Sequence, residues 1–180
     1  MTYNYDTLIE LPEVTISIQR QALAPKRIIA QARIPRSPIG IGAELDITSP
    51  EVQQSIGRII MTIAHTLAPG ILLPRAREIA DTIGDQPAAW RISRGRRTLG
   101  TCNSRREISL SAACLFLPQH LRDYIVIHEL AHLREMNHSP RFHALCNHYC
   151  NGREKELQTQ LRLFKWPFPP RIRRQKTNLT

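Results

Sequence analysis

Four histidines fall within one short stretch, HELAHLREMNHSPRFH, residues 128–143. His128 and His132 are four residues apart, so on a helix they share a face and can reach one ion. Glu129 is one position round from His128. Its carboxylate can reach a water held by that ion without ligating the ion itself. Two imidazole ligands with an adjacent acid is the pattern of metal-assisted peptide hydrolysis, in which zinc polarises water and carbonyl and the acid moves the proton. A catalytic zinc ordinarily has three protein ligands. His138, six residues after His132 and beyond the expected helix end, is the best third, with Asn137 expected in a left-handed conformation to turn the chain back.

The expected chemistry needs further parts. Charge develops on the scissile carbonyl oxygen and requires a donor. Tyr124, one turn before His128, and His148 and Tyr149 on the following helix are the candidates; spacing does not rank them. A substrate peptide held in extended form needs a free strand edge. EISLS, residues 107–111, is short, alternating and close upstream, and is the candidate edge, with an ordinary core strand as its equal alternative. His143, Cys146, His148 and Cys150 could crowd one helical face, but they lack the two separated pairs of a structural zinc site, so buried thiols and a surface histidine are expected.

The elements that must position these groups can be read from periodicity. VTISIQR alternates as a half-exposed strand, and KRIIAQARIP is a looser second strand ended by Pro35 and Pro38. SPIGIGAELDITSP reads as a link. Ser49 and Pro50 open a helix whose apolar residues recur from Val52 to Leu67 and which Pro69-Gly70 is expected to stop; a shorter helix follows from Pro74. Two strands, about 90–97 and 106–110, flank a turn containing Gly100, Asn103 and Ser104. Pro118 opens the metal helix, expected to run to Glu135 or Met136. Ser139-Pro140 opens another helix, ending near Asn151-Gly152, and REKELQTQLRLF forms the last. The composite is α+β: a small antiparallel sheet packed with several helices. One domain is expected over residues 1–170, with strands and helices in 1–85 and the metal core in 86–166. Residues 171–180 are expected as a flexible basic tail.

Composition bounds the function class. The 180 residues are 42% hydrophobic and 22% charged, which is globular. Four cysteines are too few for a disulfide scaffold. No apolar run approaches the roughly 20 residues that span a bilayer, and the acid-leading start shows no signal sequence, so no membrane partner and a cytoplasmic setting are expected. The oligomeric state is not legible. The net charge is +10. Residues 14–43 hold five bases and no acid, and residues 86–106 hold six arginines and no acid. Such a field attracts polyanions without choosing a sequence. Arg94, Arg96, Arg97, Arg105 and Arg106 are the candidate contacts to DNA or RNA; the alternative is a solvated basic face.

The residues from Trp90 to Trp166 resemble the YgjP-like metallopeptidase domain family, related to the SprT-like and WLM zinc proteases. The likeness is carried by RTLGTCNSRREISLS and then by LPQHLRDYIVIHELAHLREMNHSPRFH. It implies a zinc metallopeptidase with His128, His132 and His138 as ligands and Glu129 as base. It also implies a minimal gluzincin-type zincin core with an edge strand above the HExxH helix. SprT-like relatives cleave proteins crosslinked to DNA, which would give the basic charge a purpose by analogy. The chain departs from the family pattern at Leu99 (usually Trp), Thr101 (usually Ser) and His143 (usually Trp); these leave the metal triad intact and put inherited specificity in doubt. The expected function is therefore peptide hydrolysis, with nucleic-acid-associated proteins as candidate substrates. The alternatives are a nucleic-acid-binding module with a structural metal, or a protein that holds a peptide without cutting it.

Overall fold

The computed structural model describes residues 2–22 and 24–167; the expected tail at 171–180 lies outside the described residues. The chain begins with four strands, β1 (Leu8–Glu10), β2 (Thr15–Gln21), β3 (Ile28–Ala30) and β4 (Arg36–Gly42), in the sheet order β1-β2-β4-β3. β2 alternates as its sequence requires, with Ile16 and Ile18 turned into the core. β4 corrects the reading of SPIGIG as a link. Ile39 and Ile41 alternate inward and are fully buried, and the strand runs parallel to β2. Its Pro38 lacks an amide, but its carbonyl still accepts from Gln31 at 3.1 Å.

A single helix, α1 (Pro50–Ile83), replaces the two that were expected. It opens as read: the Ser49 hydroxyl accepts from Val52 N, and Pro50 takes the first position, where no amide is needed. Pro69 and Pro74 then lie inside the helix. Each removes one helical hydrogen bond and costs about 3 kcal/mol. Both prolines are exposed, as is Gly70 between them. The stripe Ile56, Ile60, Ile63, Ala68, Leu72, Ala76 and Ile79 continues past them into the core. Burying a large apolar side chain is worth about 1.5–3 kcal/mol, so the stripe outweighs the lost bonds. Gly84, in a left-handed conformation, ends the helix and donates to Ala80 O. By length and composition α1 could cross a membrane, contrary to the expectation that no run would qualify; its best window has a mean hydropathy of 1.5, and 33% of that window is buried in the protein. One buried face is also what a core helix packed on one side shows.

The second sheet holds β5 (Ala89–Ser93), β6 (Gly100–Cys102) and β7 (Glu107–Ser111) in the order β5-β7-β6. Both sheets are mixed rather than antiparallel: β2 pairs with β4, and β5 with β7, in parallel. EISLS, which is β7, is therefore a central strand, and the edges are β5 and β6. A 3-10 helix (Ala112–Phe116) leads from β7 to α2 (Gln119–Ala131), followed by α3 (Pro140–Tyr149) and α4 (Glu154–Leu163). α1 packs on the 3-10 helix, α2 and β5, and one apolar cluster runs from Ile16 and Ile39 through Ile60 to Ile108, Leu110 and Leu130. The result is a mixed α/β fold of two small sheets and four α-helices among the described residues.

Replacing Pro74 with Ala restores an amide able to donate to Gly70 O in an exposed turn. The gain is set against about 0.4–1 kcal/mol of added unfolded-state freedom. Pro74→Ala is expected to be more stable by about 2–2.6 kcal/mol in urea unfolding; an unchanged or lower midpoint would contradict this account of α1.

Candidate metal centre

α2 ends at Ala131, earlier than periodicity suggested, with His132 as its C-cap. The chain then turns tightly: Leu133 N donates to Leu130 O at 3.0 Å, Arg134 N to Ala131 O at 3.1 Å and Glu135 N to Ala131 O at 3.0 Å. Asn137 is not left-handed; the described non-glycine residues with positive φ are Asp6, Arg106 and Asn151. The turns themselves and the start of α3, where Ser139 accepts from Phe142 N, bring His138 back. His138 Nε2 lies 3.1 Å from His128 Nε2 and 3.2 Å from His132 Nε2, and the three candidate ligand atoms all lie within 4.8 Å of one another. Two nitrogens bound tetrahedrally at about 2.0–2.1 Å stand about 3.3 Å apart, so the residues fit a zinc-sized ion.

The rings are held by neighbours of distinct kinds. His132 Nδ1 donates to Glu135 O at 3.0 Å, which fixes the tautomer and leaves the Nε2 lone pair free toward the centre. Phe142, fully buried, is stacked on His132 at 4.4 Å between centroids and meets His128 and His138 edge-on at 4.9 and 4.8 Å. Burial, with smaller contributions from the neighbouring histidines, pushes His128 down to about 4. At neutral pH it is therefore unprotonated, the form that binds metal.

Glu129 is 5% exposed, and burial pushes its carboxyl up to about 7. Its side chain lies directly against Gly100 of β6. Gly100 and Phe142 are the two site residues the sequence did not single out. Gly100 reads as a turn residue, and Phe142 is visible only as an apolar position after the Ser139-Pro140 helix start.

The candidate oxyanion donors are separated by the fold. Tyr124 lies near the triad, its ring 6.0 Å from that of His128, but its phenol is buried against Gln158 and raised mainly by that burial. Tyr149 donates to Asp85 at 3.2 Å, and the same carboxylate oxygen accepts from Arg134 at 2.5 Å. His148 is exposed beside the Tyr149 ring. Of the three candidates only Tyr124 makes a ring contact with a histidine of the cluster; the other ring contacts come from Phe142 and His143. His143 is exposed, its ring is 6.3 Å from His138, and its Nδ1 is 2.8 Å from Glu154.

The candidate arginines lie in two groups around the strands of the second sheet. Arg94, Arg96 and Arg97 lie between β5 and β6, at one end of the sheet; Arg105 and Arg106 lie in the turn between β6 and β7, at the other. The five-residue β5 separates the two ends by about 13 Å. Arg106 donates to the main-chain carbonyls of Leu133 and Gln86 at 3.0 and 3.3 Å, which makes it a brace between the turn after α2 and the strands. Arg94, Arg97 and Arg105 are exposed.

A sequence-family model described as the YgjP-like metallopeptidase domain matches residues 24–163. The chain belongs to this family. Among solved structures, the metallopeptidase zymogen of Pyrococcus abyssi abylysin is similar at 26% identity, covering 52% of this chain and 95% of that one with a TM-score of 0.44. No curated protein matches. For this YgjP-like domain, family and geometry thus agree on a metallopeptidase-type fold with a histidine cluster able to coordinate a metal ion.

The buried carboxyl has a measurable consequence in metal-free protein. Glu129 titrates at about 7 when folded and near 4.5 when unfolded, so the folded state holds the proton more tightly. Its contribution to stability is complete below pH 4.5 and is lost as pH rises through about 7, a difference on the order of 3 kcal/mol. Chelator-treated Glu129→Gln is expected to exceed wild type in urea stability at pH 8 by an amount of that order, with the gap closing by pH 4.5. A gap that does not change with pH would remove burial as the cause.

Proposed function

We propose that the chain is a zinc-dependent peptidase of the zincin type, with α2 as its active-site helix. The observation that carries this reading is the convergence of His128, His132 and His138 beside a buried carboxylate that lies under an open strand edge. A zinc ion held by the three Nε2 atoms would supply Lewis acidity to the attacking water and the scissile carbonyl. Glu129 takes the proton from the attacking water and passes it to the leaving amine nitrogen.

β6 is the edge that receives substrate, in place of β7. Leu99 O accepts from Ser111 N at 2.8 Å and Asn103 N donates to Glu107 O at 3.1 Å. Antiparallel pairing alternates, so the amides and carbonyls of Gly100 and Cys102 point away from β7. An extended peptide can pair with those groups directly above Glu129. His143 is an exposed polar side chain beside the triad and joins Tyr124, His148 and Tyr149 as a candidate: as an imidazolium held through Nδ1 by Glu154, it would donate to the developing oxyanion from Nε2. Nucleic-acid-associated substrates rest on the net charge of +10 and on the exposed Arg94, Arg97 and Arg105.

Purified protein is expected to carry one zinc per chain, which His132→Ala releases, and added zinc should raise the unfolding temperature of the chelated wild type. Protein that neither retains nor rebinds zinc would refute the centre. Glu129→Gln is expected to keep its zinc and to hydrolyse a denatured protein substrate at least about a hundredfold more slowly, as loss of a general base requires. Equal hydrolysis by this variant would reject Glu129 as the base, and wild type that binds peptide without cutting it would favour the holding function.

A further inference from the structure

We infer that Gly100 is a positioning residue: its bare main chain seats the carboxylate of Glu129 beneath the substrate edge. The inference deepens the peptidase reading and rests on Glu129 being the base. A methyl group at position 100 would lie 2.5 Å from both Cγ and Oε1 of Glu129 and 2.7 Å from Cδ. These are overlaps, not contacts. The backbone at Gly100 is outside the left-handed region, so the glycine is not explained by a turn. The three atoms nearest to that methyl all belong to one side chain, and that side chain is the proposed base.

Nothing else described fixes that carboxylate. Among the described residues no protein group donates a hydrogen bond to its oxygens. Its oxygens keep some contact with solvent, so the groups packed against the side chain set its place, and here the wall is the Gly100 backbone. The wall is firm. Leu99 O, one residue earlier, accepts both Ser111 N at 2.8 Å and Cys114 Sγ at 3.4 Å, and β6 is paired with β7 along its length. When a methyl is added, the strand holds and the far end of the Glu129 side chain yields. The same residue also turns its amide and carbonyl outward to the substrate. One position thus sets both where the base lies and where the peptide backbone lies, which ties their separation to a single Cα.

The test is Gly100→Ala in the zinc-loaded protein, with Gly95→Ala as a control, since a methyl at Gly95 meets nothing within 4 Å. Misplacing a catalytic group by about 1 Å can cost a hundredfold, so kcat on a quenched fluorescent peptide is expected to fall about ten- to a hundredfold. KM and zinc content should stay at the wild-type level, and Gly95→Ala should behave as wild type. Unfolding provides a readout independent of turnover: Gly100→Ala should lower the urea midpoint, and the loss should vanish when Glu129 is also changed to Ala. Unchanged kcat in Gly100→Ala overturns the inference, as does a midpoint loss that persists without the Glu129 side chain. If wild type hydrolyses nothing, the peptidase reading fails, and the unfolding cycle alone then decides whether Gly100 seats Glu129.

Discussion

The histidine-bearing helix is aimed by a buried guanidinium. Arg122, in the first turn of α2, is only 3% exposed. A charge so deeply buried is tolerated only when its donors are matched. Its Nε donates to Leu117 O at 2.8 Å and one terminal nitrogen to Leu115 O at 2.6 Å, while the other grips both oxygens of Glu13 at 2.7 and 2.9 Å. Those bonds fasten the start of α2 to the 3-10 helix before it and to the segment leading into β2. His128 lies six residues further on, about 9 Å along the axis. Once Arg122 fixes the helix origin, the direction of His128 and Glu129 follows from helical geometry. Arg75 on α1 adds a second tether at the next residue, Asp123, with bonds of 2.8 and 3.2 Å.

The centre then assembles from groups that differ in burial. His132 is buried, His128 half-buried and His138 exposed, so the triad spans the boundary between core and solvent. Phe142 closes it from below and contributes no polar atom, which leaves the nitrogen lone pairs without a competing partner on that side. The desolvation that lowers His128 also raises Glu129. One environment therefore favours the neutral form of both side chains in the metal-free protein.

Much of the centre was legible in the sequence because its logic is local. His128, Glu129 and His132 are fixed by helical spacing, and Ser49-Pro50 and Ser139-Pro140 mark helix starts through bonds within three residues. What was misread depends on partners far along the chain. Pro69 and Pro74 look like helix stops until the core stripe of α1 is set against them. SPIGIG looks like a link until β2 pairs with it. EISLS looks like an edge because it comes next to the metal helix in sequence, yet β5 lies beyond it in the sheet. Gly100 looked like turn chemistry because a glycine that makes room for a distant side chain carries no local mark.

The strands at the sheet margins are all brief. β1, β3 and β6 have three residues each and β5 has five. An open margin is a template on which another chain can extend the sheet, and short, charge-flanked margins are the usual protection against such growth. Lys26 and Arg27 stand before β3, and Arg105 and Arg106 shortly after β6. A margin three residues long gives a single segment room to lie down but offers too little ladder to propagate an assembly. The fold can therefore leave β6 uncovered beside the histidine cluster while offering little ladder for further strands to add to that margin.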